Sequence, residues 1–355
     1  MKPKVLFGYR FGVLGGVATQ ILNRLPEFAT QYQVKTLFEI DHGVVARFPE
    51  GTAAASTSSE QRVGFVREFA PDLMVVIDSP KLLSEWREAD TGGAAVVEVH
   101  TTTSNIDYLH ELDATDLSGI ITVSDYMVNV VKRTEIGRVL PIAVVGNCLG
   151  PEWRCLPGRP LSQGPVPVLW TGKLDGHKRA LTALEVLASV MTEVEDQVAV
   201  RPMMVGGYAA GADRVRHFLR NIMNTRSLRD TLAWLPRVDH EAMPALLHQA
   251  AGAGGIALST TRDESFGMSV AEALVSGCRV VAPAVGALPE IVPSSMLYPD
   301  GDFRAATRAV VRMIGDRQHL LEEALEAGRQ VRDRMDPAAT LVQFQEALAR
   351  FGIDL

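Results

Sequence analysis

Short, β-branched apolar runs alternate with stretches of helical length along this chain, and the alternation starts twice. The first set is Val5–Tyr9, Val34–Ile40, Leu73–Asp78, Ala95–His100, Gly119–Ser124 and Ile142–Gly146. Each run is short and continuous, as a strand covered on both faces requires. The segments between them are long enough for crossover helices, so the runs build a parallel, doubly wound sheet. Asn147–Pro167 then holds five prolines and three glycines and reads as a linker. Beyond it the rhythm resumes with Val168–Trp170, Met203–Val205, Gly255–Ser259, Arg279–Pro283 and Met296–Tyr298. Helices such as Leu181–Met191 and Met243–Ala251 lie between these runs. Phe303 to Phe351 reads as helices broken near Asp336-Pro337, and Thr52–Ser59 reads as a surface loop.

The expected fold is therefore α/β: two Rossmann-like domains facing across a cleft. Ligands of such sheets bind beyond the carboxyl ends of the strands. A chain of 355 residues with 47% hydrophobic and 22% charged residues can bury two cores, and long disorder is not expected. No apolar run reaches the length of a membrane span, and the opening MKPKVLFGYRFG lacks a secretory h-region. Cys148, Cys155 and Cys278 are too few for a disulfide framework, so a cytoplasmic protein with reduced thiols is expected. A net charge of −7 argues against a nucleic-acid surface.

Four segments carry chemistry. Arg262–Gly277 follows a strand and opens a helix, with Glu264 in the loop and Glu272 within the helix. Ser265, Phe266, Gly267 and Met268 present backbone N–H groups at the helix start, where an anion is favoured. A carboxylate beside an anion cradle suits a ligand with both phosphates and hydroxyls; an acidic turn before an ordinary helix is the plain alternative. Trp170–Arg179 follows the first strand of the second domain. Its Lys173 and Lys178 are placed to reach a diphosphate or simply to form a solvated basic loop. Gly15 and Gly16 follow the first strand, where paired glycines let backbone approach an anion or make a tight turn. The segment is not G-x-G-x-x-G, so a dinucleotide fingerprint is weak. His100 ends a strand and precedes Thr101–Asn105. It is suited to bonding a sugar hydroxyl or to a structural role.

Together, in this order, these segments resemble the retaining glycosyltransferases of family 4, which have the GT-B fold. The resemblance covers nearly the whole chain and is strongest in the Glu-x7-Glu stretch ESFGMSVAE. Ala273–Pro283, Gly286–Val292, Val123–Tyr126 and Gly146-Asn147 are also similar to family segments. The resemblance implies an acceptor-binding domain over residues 1–157 and a nucleotide-sugar-binding domain over 158–336. It also implies a last helix, about 337–355, that crosses back to the first domain. Glu264 would contact the donor sugar and Glu272 the ribose, while Lys173 and Lys178 would neutralise the diphosphate. The amides of Gly15, Gly16, Ser265, Phe266, Gly267 and Met268 would complete the cradle. Val238 would touch the base, and His100 would sit near the reacting sugar. The family usually has arginine where Lys173 stands, and Arg179 replaces a frequent glycine or asparagine; it is a further phosphate ligand or, by a slight preference, a solvent-facing helix residue.

The implied reaction moves a sugar from a nucleotide diphosphate to an acceptor hydroxyl with retention. It needs no obligatory metal and no cofactor, and a uridine nucleotide is favoured over a guanosine one. Residues 1–157 hold 14 Lys+Arg against 19 Asp+Glu, a balance of −5, so charge-driven membrane association is not expected. Thr101, Thr102, Asn105 and Tyr108 suit a polar acceptor, a small molecule or a glycan. Two rival readings remain: a GT-B nucleotide-sugar epimerase, and a non-catalytic nucleotide-sugar-binding scaffold.

Overall fold

A computed structural model describes residues 1–13, 15–101, 106–153, 164–194, 199–207 and 210–355. The chain divides into two units, Met1–Gly150 with Arg334–Leu355, and Pro151–Asp333.

The first unit runs β1 (Lys4–Gly12), α1 (Gly16–Gln31), β2 (Gln33–Asp41), β3 (Ala53–Ala55), α2 (Ser59–Phe69), β4 (Leu73–Ile77), α3 (Pro80–Ala89), β5 (Ala94–Val99), β6 (Gly119–Thr122), α4 (Asp125–Val131), α5 (Glu135–Val139) and β7 (Ile142–Val144). Its seven strands are all parallel, in the order β3-β2-β1-β4-β5-β6-β7. The second unit runs β8 (Val166–Thr171), α6 (Ala180–Glu193), β9 (Val200–Val205), α7 (Ala212–Asn224), β10 (Ala233–Leu235), α8 (Met243–Gly252), β11 (Ile256–Leu258), α9 (Met268–Val275), β12 (Arg279–Pro283), β13 (Leu297–Tyr298), α10 (Phe303–Gly315) and α11 (Leu321–Arg334). Its six strands are also parallel, in the order β10-β9-β8-β11-β12-β13. The last helix, α12 (Pro337–Arg350), returns to the first unit.

The central strands explain the parallel arrangement. Every residue of β4 is buried, as is every residue of β12, so no face is left to solvent. In both sheets the strand order reverses between two neighbours: β1 and β4 in the first, β8 and β11 in the second. The segments after these strands are where an open sheet offers a ligand room. Gly15-Gly16, Trp170–Arg179 and the Glu264 loop all follow such strands.

The Asp336-Pro337 break works as a helix start. Asp336 Oδ1 accepts from Ala338 N at 2.8 Å, and Pro337 occupies the first turn, where no donor is missed. Phe344 of α12 then fills the core of the first unit. Its ring lies 5.0 Å from Phe28 and 6.4 Å from Phe7, centroid to centroid, and all three rings are buried.

Three expectations are corrected. Ala53–Ala55, within the stretch read as a loop, is an edge strand paired with Thr36–Phe38. Alanine carries little strand signal, but the open edge of β2 supplies the hydrogen bonds. The three-residue strand β10 was not anticipated, because Ala233–Leu235 is too short to show a period. The C-terminal helices also break at residues 316–320, where Leu320 takes a left-handed backbone (φ +60°). Among the described residues no helix is long and apolar enough to cross a membrane. Cys148 and Cys278 are buried free thiols, and Cys155 lies outside the described residues.

Candidate active site

In the second unit, the loops after β8 and β11 meet over one ion pair. Lys178 Nζ bonds Glu264 Oε1, and both side chains are largely buried. The loops are fastened below this pair. Thr260 Oγ1 accepts from Trp170 Nε1 at 3.1 Å and donates to the Lys178 carbonyl at 2.9 Å. Arg262 N donates to the His177 carbonyl at 2.9 Å, and Lys178 N donates to Asp175 Oδ1 at 2.8 Å. A third segment locks Glu264 from the other side. Ala287 N donates to the Glu264 carbonyl at 2.8 Å. Gly286 beside it has φ +56°, and a Cβ there would stand 2.3 Å from the same carbonyl oxygen. Only glycine fits, because both the backbone angle and the space exclude a side chain.

Gly267 starts α9 with φ +99°, and a Cβ there would strike Leu288 at 2.5 Å. Phe266 is a core residue, so its part in any cradle is played by its backbone alone. Ser265 and Met268 are half-buried on either side. Lys173 is exposed and has no ion-pair partner among the described residues. Arg179, expected to face solvent, is instead tied down. It pairs with Asp300 at 2.7 Å, lies 5.6 Å over the Phe303 ring and adopts a left-handed backbone (φ +51°) at the start of α6.

Glu272 projects from α9 as a partly buried carboxyl without a hydrogen-bond donor among the described residues. Burial pushes it up to about 7; nearby His240 opposes the lift and Glu152 reinforces it. His240 Nε2 stands 3.2 Å from Glu152 Oε1, and that carboxylate raises the imidazole against the effect of burial. Val238, half-buried, precedes His240 by two residues between β10 and α8. Residues Glu152 and His240 gave no signal in the sequence, since they are 88 positions apart and fit no motif.

The state of Glu272 sets a pH dependence. Its unfolded carboxyl ionises near 4.5, but its folded one holds the proton to about 7. The folded state therefore loses stability as pH climbs through that window, and the deficit is complete above it. Glu272→Gln removes the deficit. Its stability in denaturant titrations should exceed the parent's by up to about 3 kcal/mol at pH 8, with no difference at pH 4.

In the first unit, Gly15 precedes α1 and Gly16 opens it. Neither has a positive φ, and a Cβ on Gly16 would meet nothing within 4 Å. Packing within the unit therefore does not require glycine at 16. Asp41, at the end of β2, caps its own turn by accepting from Gly43, Val44 and Val45 N at 2.8–3.2 Å. His100 follows β5 with its ring turned onto Glu98. Tyr108 donates its hydroxyl to Asp78 at 2.8 Å, and Thr101 Oγ1 approaches the same oxygen at 3.4 Å. Both hydroxyls expected to meet an acceptor thus already bond a buried carboxyl, which burial pushes up. Thr102 and Asn105 lie outside the described residues. Among the described residues no group of three His, Cys, Asp or Glu side chains is arranged to hold a metal ion.

A model of the glycosyl transferases group 1 family matches residues 166–316, within the second unit. Curated protein sequences give no match. Solved structures resemble the whole chain. Anabaena HepE, in complex with UDP and glucose, superposes with a TM-score of 0.80 at 17% identity, over 98% of this chain and 100% of that one. Sucrose-phosphate synthase from Thermosynechococcus elongatus gives 0.71 at 16% identity, over 99% of both chains. A glycosyltransferase from Rickettsia africae gives 0.74 at 12% identity, over 100% of both. Two parallel-sheet units with a returning last helix are the GT-B architecture. Residues 166–316 carry a glycosyl transferases group 1 domain, and the chain is a glycosyltransferase of the GT-B fold.

Proposed function

We propose that the chain is a cytoplasmic, retaining and metal-independent glycosyltransferase. It moves a sugar from a nucleoside diphosphate, UDP in preference to GDP, to the hydroxyl of a polar small molecule or glycan. One observation carries this reading: the Lys178–Glu264 pair stands in the same unit as Glu272, a carboxyl with no hydrogen-bond donor among the described residues. Two ribose hydroxyls would supply the missing donors. A diphosphate would draw on Lys178 and Lys173 and on the amides of Ser265, Gly267 and Met268. Glu264 would bond the sugar hydroxyls and Val238 the base. Gly15, Gly16 and His100 of the first unit would complete the contacts to phosphate and sugar.

In the reaction the acceptor oxygen bonds to the anomeric carbon as the bond to the diphosphate oxygen breaks. The departing phosphate takes the acceptor proton, and attack and departure share one face, which retains configuration. Negative charge grows on the leaving oxygen, where preorganised ammonium groups and amides lower the barrier most. HepE binds UDP-glucose, which makes that sugar the first donor to try.

Thermal unfolding against UDP-, GDP-, ADP- and dTDP-sugars without metal tests the proposal. At a hundredfold excess over Kd, a UDP-sugar should stabilise the protein by about 2.7 kcal/mol. No shift with any of them would reject it. A second check uses Gly16→Ala. That variant should unfold at the parent temperature or above, because alanine suits a helix better by up to about 1 kcal/mol. It should bind the nucleotide sugar about tenfold more weakly, a loss of about 1.4 kcal/mol. Undiminished affinity would remove Gly16 from the site.

A further inference from the structure

Two carboxylates hold His100. Asp78, at the end of β4, accepts its backbone N–H at 3.0 Å. Glu98, two residues back on β5, stands 2.8 Å from its ring Nε2. Glu98 is fully buried and would be an isolated charge but for Arg24 of α1. Arg24 Nη1 donates to Glu98 Oε2 at 2.9 Å, and Arg24 Nη2 lies 2.8 Å from Oε1. The arginine is equally buried, and its remaining reach is to the Gly146 carbonyl at 3.5 Å. Oxygen Oε1 is thus shared between guanidinium and imidazole.

The proton in the imidazole contact can be assigned. Burial pushes the Glu98 carboxyl up, but the paired Arg24 guanidinium, with the hydrogen bond from the His100 ring, outweighs it and holds it at about 2. An ionised carboxylate only accepts hydrogen bonds, and a guanidinium only donates. The hydrogen between Nε2 and Oε1 therefore belongs to the ring. In neutral histidine the lone pair then lies on Nδ1, which bonds nothing among the described residues. A buried ion pair is an expensive means of joining a helix to a sheet, since apolar side chains of the same volume pack as well. Among the described residues, the only other side chain that this pair bonds is the His100 ring.

We infer that Glu98, held by Arg24, is a positioning residue for His100, fixing the Nε2–H tautomer so that Nδ1 accepts a hydrogen bond from a hydroxyl of the bound sugar. The inference rests on the place proposed above for His100 beside the sugar. A leucine at 98, with methionine at 24 so that no cation is left buried, would remove the acceptor from Nε2 and leave the tautomer unset.

Nitrogen-15 NMR of the imidazole, assigned with a His100→Gln sample, and UDP release from UDP-glucose form the test on the full chain. The parent ring should carry its proton on Nε2. Arg24→Met with Glu98→Leu should lose that assignment, the ring showing both tautomers, and slow turnover about tenfold to hundredfold, the scale of one lost hydrogen bond in a buried site. His100→Ala should slow turnover as much, and adding Arg24→Met and Glu98→Leu to it should slow it no further. Arg24→Met with Glu98→Gln, whose amide oxygen can accept, should restore Nε2–H and turnover, which keeps the test open should the leucine variant not fold. A parent ring protonated on Nδ1 would overturn the inference. So would native turnover in Arg24→Met with Glu98→Leu beside an impaired His100→Ala. Native turnover in His100→Ala would instead remove the role of His100, and the inference with it.

Discussion

Glu264→Ala should lower turnover of the nucleotide sugar by about 10²–10³, the size of one preorganised transition-state contact. The carboxylate is fixed before any substrate arrives. Lys178 bonds it from the β8 loop, and Ala287 bonds its backbone from the segment after β12. Such a group spends nothing on reorganisation when charge develops beside it, and its loss falls on kcat rather than on donor affinity. Folding should survive, since the change trims a loop and leaves the tie between Ala287 and the residue 264 carbonyl intact. Steady-state kinetics with UDP-glucose, after circular dichroism confirms the fold, decides the matter. Native kcat in the variant would exclude Glu264 from the chemistry.

The largest loss of stability should come from Arg279→Met. Arg279 opens β12 and is fully buried. Its Nη1 donates to the carbonyls of Met313 at 2.8 Å, Asp316 at 2.9 Å and His319 at 3.3 Å, and its Nη2 donates to Gly254 at 2.6 Å. Burial lowers the guanidinium to about 10, so it stays charged at neutral pH. Methionine fills much of the volume but strands the carbonyls of Met313 and Gly254 in buried contacts and those of Asp316 and His319 in part-buried ones. Charged hydrogen bonds and unsatisfied buried groups each count for about 1–3 kcal/mol. A destabilisation of about 3–5 kcal/mol is expected. For a unit of this size that is a fall of roughly 10 °C or more in Tm. A variant melting within 2–3 °C of the parent, by calorimetry at about 1 °C precision, would contradict this account.

Much of the architecture could be read from residues alone because a parallel strand writes its burial into consecutive β-branched positions. Leu73–Ile77, which ends in Val75, Val76 and Ile77, is plain in that respect. Ala53–Ala55 is not, because its pairing comes from the neighbouring edge and leaves no mark on its own side chains. The loop bearing Glu264 was legible because glycines and helix starts are local signals. The Arg24–Glu98–His100 chain was not. Arg24 sits on a helix, where a charged residue ordinarily faces water, and its partner lies 74 residues away. Arg179 misled for the opposite reason: a local reading placed it in solvent, whereas Asp300 and Phe303 arrive from a distant helix start to hold it.

The return of α12 to the first unit has a consequence for the order in which a ribosome can finish this protein. Phe7 and Phe28 are made before the second unit, but Phe344, which covers them, is made after it. Every residue of the second unit emerges before that helix does. The first unit made is therefore the last to close, and it waits with an aromatic surface uncovered while its successor folds. Nascent chains of this kind depend on chaperones during that interval. A chain that stops before Phe344 would carry a folded second unit and a first unit prone to aggregate.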